Sequence, residues 1–160
     1  DAYTCEIIRW AELRYVVSGG TAAIGARNRT CIRTHVRNLD EVTAAHGLSH
    51  AQVGYGSGNV TRLDAGDASE MRQELGDGEV SAHLQHVAEG FGGSVREEID
   101  HMRALGLVGP GFVYVHATDA TVAQLAQMAA EGTGIAWSPR SNLDLYKNTT
   151  PVDVAARLGV

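Results

Sequence analysis

One pattern restricts the fold of this chain more than any other: short apolar runs rich in β-favouring residues alternate with longer stretches of helical periodicity. The clearest run is Phe112–Val113–Tyr114–Val115–His116–Ala117, aromatic and β-branched, fenced on its near side by Gly109–Pro110–Gly111. Residues 21–26, 52–56, 80–88 and 134–138 read as further strands. Helices are expected over residues 1–18, 38–46, 93–105, 120–130 and 151–158. Ser94 suits an N-cap, Gly47 and Gly106 suit helix stops, and Pro151 suits a first turn. Such alternation predicts an α/β fold with a parallel sheet, in a single domain over residues 1–160. Residues 57–79, polar and rich in Gly and Asp, read as a long loop with a short helix at 69–75.

Parallel α/β enzymes gather their chemistry at the C-terminal ends of the strands. Three successive strands here end in polar groups: His86 with Glu89, His116 with Asp119, then Ser138, Arg140, Ser141 and Asn142. A neutral imidazole is a common ligand for zinc and iron. A carboxylate three residues past such a histidine can reach the same cavity and move a proton between water and a leaving group. His-x-x-Glu alone is a weak signal, and a lone strand-end histidine is often a core residue. Their recurrence one βα unit apart strengthens both. His83 lies at odd spacing from His86, so the pleat sends it to the opposite face, where it reads as structural. His101 reads as solvated on its helix, and Asp119 as a cap for the helix that follows. Trp137 reads as a buried strand-end aromatic. The glycine pairs at 19–20 and 54/56 form no phosphate loop, and no nucleotide motif is present.

Composition narrows the partners. A net charge of −6 excludes a phosphate backbone as the main one, so no nucleic acid is expected. No stretch is long and apolar enough to span a membrane. Two cysteines, Cys5 and Cys31, are too few for a disulfide framework and read as reduced thiols. The chain opens on Asp1 with no leader pattern, which suggests a processed or partial cytoplasmic product.

Three segments carry a family resemblance: HVAEG at 86–90, GPGFVYVHATDAT at 109–121 and GTGIAWSPRSNLDLY at 132–146. They resemble the amidohydrolase superfamily, in the branch with chlorohydrolases, guanine and cytosine deaminases, and S-adenosylhomocysteine or methylthioadenosine deaminases. SGGTAAIGA at 18–26 resembles the second-strand segment of the same branch. The resemblance implies a metal-dependent hydrolase on a TIM (β/α)8 barrel, acting on C–N or related bonds of a small cyclic or amide substrate. It implies His86 and His116 as metal ligands, Glu89 and His116 as catalytic groups, and Pro139, Ser141 and Asn142 at the border of the substrate pocket. The implied cofactor is a divalent metal, zinc first and iron second.

The departures from that family are large. No H-x-H pair occurs, and no strand-8 aspartate in a GTD setting follows. A full barrel takes about 250 residues. The expectation is therefore a partial TIM barrel, roughly strands 2 to 7, whose exposed strand edges favour a homo-oligomer. Two further readings stand beside the enzyme: an inactive barrel fragment, and an unrelated doubly wound α/β binding protein.

Overall fold

The computed structural model describes residues 2–24, 35–39, 53–56 and 58–160. It is α/β, with all described strands in parallel pairs. Strand β1 (Ala22–Ala23) pairs with β2 (Arg37–Asn38). Strands β3 (Val53–Gly56), β4 (Ala82–Val87), β5 (Phe112–His116) and β6 (Gly134–Ala136) form a four-stranded sheet in that order. A backbone bond from Val53 N to the Leu39 carbonyl, 3.0 Å, joins the end of β2 to the start of β3. Each of these strands thus lies beside its predecessor in the chain. A doubly wound sheet reverses strand order at its switch point; the described strands show no reversal.

Helix α1 (Ala2–Val17) precedes β1. Crossovers α2 (Ala65–Gly76), α3 (Gly93–Ala104) and α4 (Val122–Glu131) join β3 through β6. Helices α5 (Pro139–Tyr146) and α6 (Val152–Leu158) follow, and α6 packs on α4. The crossovers cover one face of the sheet. Along β4 burial alternates: His83, Gln85 and Val87 are buried, while Ala82, Leu84 and His86 are half-buried on the other face. The core lies between sheet and helices, where Val87, Phe112 and Tyr114 meet Met71, Ile99, Met102, Leu125 and Met128. Burying each such side chain contributes roughly 1.5–3 kcal/mol before entropy is counted. Two glycines let β3 approach this layer. A Cβ on Gly54 would stand 2.2 Å from Nδ1 of His83, and one on Gly56 would stand 2.2 Å from Oε1 of Gln85.

Several expectations need correction. Residues 57–79 are no long loop: a 3-10 turn at Val60–Arg62 leads into α2, whose Asp64 N-cap and Asp67 form a reciprocal capping box. The turn at 138–142 is the first turn of α5, with Pro139 at its start. Ser94 lies inside α3, because the chain enters the helix at Gly92. Asn38 belongs to β2, and the rest of the helix expected at 38–46 lies outside the described residues, Leu39 aside. Cys5 is disulfide-bonded, not reduced. No described helix is long and apolar enough to cross a membrane.

Candidate metal centre

The site begins with the pleat of β4, which places His86 on the half-open face beside Leu84. In the register with β5, His86 pairs with Val115 and Val87 with His116. Alternation alone would turn His116 toward the helices, with Tyr114. The backbone breaks that alternation: His116 has φ +75° and Ala117 φ +47°. Left-handed φ at residues other than glycine costs on the order of 1–3 kcal/mol and tends to cluster at functional sites. The result is that the His116 ring sits 4.9 Å from the His86 ring, centroid to centroid. Ala88, with φ +52°, turns the chain in the same way after β4 and returns Glu89 over the strand end.

Glu89 touches both rings. Its Oε2 lies 3.0 Å from Nδ1 of His86 and its Oε1 lies 3.3 Å from Nε2 of His116. One donor atom from each of His86, Glu89 and His116 falls within 4.8 Å of the others. His116 is buried, while the other two are half-buried.

A chain of hydrogen bonds fixes the tautomer of His116. The Thr150 hydroxyl donates to the carbonyl of His116 itself. Thr150 Oγ1 is then free to accept from Asn142 Nδ2, at 3.2 Å. That orientation leaves Asn142 Oδ1 as an acceptor, 2.7 Å from Nδ1 of His116. Nδ1 must therefore carry the proton, and in the neutral ring Nε2 keeps its lone pair. This lone pair faces a carboxylate oxygen of Glu89. Two acceptors meet there, so the arrangement calls for a positive charge between or on them: a metal ion, or a proton on the ring. A histidine that donates through its far nitrogen to an oxygen is also the usual preparation of a metal ligand. The donor set of two imidazoles and one carboxylate suits zinc or iron.

Beside His86 and Glu89 lies a cavity of about 230 Å³, lined also by Gly58, Asn59, Val60 and Glu98; His116 does not line it. Glu98 Oε2 accepts the Ala88 amide at 2.8 Å. Burial pushes the Glu98 carboxyl above its usual range, the Ala88 amide pulls it down, and the charge of Glu89 pushes it up. Tyr146 approaches from α5, edge-on to Phe91 with centroids 6.4 Å apart. Slight burial, the charge of Glu89 and a hydrogen bond to Glu89 push its phenol up.

The structure therefore brings His86, Glu89 and His116 together and sets Asn142 behind them. Asn142 is fully buried, its carboxamide taken up by His116 and Thr150. Ser141 stands apart, in a shallow cleft with Ser138, Pro139, Arg140 and Asp144. Trp137 is 45% exposed, not buried, and donates to Thr149. Asp119 does not cap α4, whose cap is Thr121. Asp119 binds Arg96 and the Gly92 amide instead, fastening the β5 end to the start of α3. His101 is half-buried and meets the Leu63 carbonyl, so it is not a solvated residue. His83 faces the helical layer as expected, paired with Glu74 at 2.9 Å. Glu98, Thr150 and Tyr146 escaped the sequence reading. None sits at a strand end, and only the crossover geometry brings them near. No protein-family model matches the chain, and no curated protein matches it.

Proposed function

We propose that this chain carries a metal-dependent hydrolase site of the amidohydrolase kind, built on a segment of (β/α)8 barrel. The observation that carries the reading is the proton that Asn142 holds on Nδ1 of His116, which leaves Nε2 of that ring toward Glu89 beside His86. The sequential parallel order from β3 to β6, with crossovers on one face, is what a piece of such a barrel would have. His86 and His116 would hold a divalent ion, zinc first and iron second. When bound, such an ion polarises a substrate bond and makes water a better nucleophile.

The chain's own residues do the rest. Glu89, between the two rings, holds or passes a proton. Asn142 keeps the His116 ring in one orientation. The cavity walled by Asn59, Val60 and Glu98 admits a small molecule and encloses the reacting bond. The substrate class is a small cyclic or amide compound with a C–N or related bond. The edge of β6, unpaired among the described strands, favours a homo-oligomer.

Metal analysis after equilibrium dialysis tests the assignment. Wild type retains about one zinc per chain, while His86→Ala and His116→Ala retain little. Glu89→Gln keeps its zinc affinity within about tenfold, since a proton carrier is not a required ligand. Wild type emerging metal-free sinks the reading. A Glu89→Gln loss as deep as that of the histidine variants makes Glu89 a ligand. A second reading, a barrel piece without chemistry, gains from one fact: among the described residues only these three groups could hold a metal. Turnover of small amides or amino heterocycles by the zinc-loaded chain would exclude it.

A further inference from the structure

Glu98 sits on α3, twelve residues beyond His86 in the sequence and in none of the motifs. Its carboxylate nevertheless reaches back to the end of β4. Oε2 accepts the backbone amide of Ala88 at 2.8 Å, and the same side chain walls the cavity beside His86 and Glu89. Ala88 is fully buried and holds φ +52°. A buried alanine in left-handed backbone relaxes to an ordinary conformation unless something holds it. Its carbonyl is held as well, by the Thr118 amide at 2.9 Å. Ala88 is thus gripped at both ends, by β5's extension on one side and by Glu98 on the other.

What depends on that grip is Glu89. The left-handed turn at Ala88 returns the chain over the strand end, so that Glu89 reaches both histidines at 3.0 and 3.3 Å. A carboxylate is a costly choice for this task. It lies half-buried with a second carboxylate, Glu89, near it. A neutral side chain could accept one amide with less penalty. We propose that Glu98 is a positioning residue: it locks the Ala88–Glu89 turn through the Ala88 amide and thereby sets the Glu89 carboxylate against His86 and His116.

This inference rests on the metal-site reading, so the test separates the two. Zinc affinity would be measured by competition with a chromogenic chelator on the full chain, for wild type, Glu98→Gln and Glu98→Ala. Glutamine keeps an acceptor oxygen for the Ala88 amide, and alanine removes it. The expected result is Glu98→Gln within about twofold of wild type and Glu98→Ala weaker by no more than the roughly tenfold bound set for Glu89→Gln, because Glu98 acts through Glu89. Hydrogen exchange and ring resonances of the metal-free protein supply the second measurement. In Glu98→Ala the Ala88 amide exchanges faster, and the His86 and His116 ring signals shift. In Glu98→Gln neither changes. Thermal unfolding controls for global damage. Unchanged Ala88 exchange and unchanged ring signals in a folded Glu98→Ala variant overturn the proposal, whatever zinc does. If wild type binds no zinc while those signals move as expected, the metal reading fails and the positioning role stands.

Discussion

Replacing Asn142 with leucine takes away the acceptor of the His116 Nδ1 proton and the donor to Thr150 in one step. The His116 Nδ1 proton is then buried without a partner, while Thr150 keeps its bond to the His116 carbonyl, and the loss costs about 1–3 kcal/mol of stability in urea unfolding. The same variant frees the His116 ring to take the other tautomer. Zinc affinity should drop by about 10- to 100-fold, as read by chelator competition. His83 belongs to a different account. Burial holds its imidazole below the usual value of 6.5, and Glu74 only partly offsets this. As pH falls, the unfolded chain takes up the proton first. Stability from this residue is therefore intact above pH 6.5, declines below it, and stops declining under the folded-state pKa. Urea midpoints measured from neutral pH downward should fall less steeply for His83→Gln than for wild type.

At the level of elements, β3 owes its place to what it lacks. Gly54→Ala puts a methyl group against the His83 ring, which the buried layer behind it cannot easily yield. The expected loss is about 1–3 kcal/mol, the usual cost of overpacking. Adding His83→Ala should recover part of that loss, because the clash partner is gone. The legibility of the elements follows from the same physics. Strand β5 was readable because buried parallel strands are apolar and β-branched, as Phe112 to Val115 show. Strand β2 was not, since Arg37–Asn38 offers no apolar run and is fixed by pairing alone. The helix expected at 69–75 lies within α2, and only the first turn of α2 hid behind its polar composition, though Asp64 with Asp67 was a capping signal in plain view. Pro139 looked like a turn residue and is the first residue of α5.

For the molecule as a whole, the candidate site is a product of order. Consecutive βα units place His86, then His116, then Asn142 at neighbouring strand ends, so the histidines and Glu89 could be found from sequence. Their supports could not: Glu98 and Thr150 reach the site through side chains whose targets are backbone atoms. Strand β6 ends the sheet with one edge unpaired among the described strands. If that edge pairs with a second copy, sedimentation velocity over a concentration series should show species heavier than the monomer; a single monomeric species throughout would contradict this. The hydrogen-bond ring that closes on His116 has one more consequence, which concerns time. Its last member, Thr150, lies 34 residues beyond the histidine it governs. On a growing chain, His86, Glu89 and His116 are added before that hydroxyl exists. The ring that fixes the proton on His116 can therefore close only once the segment ahead of α6 has been added.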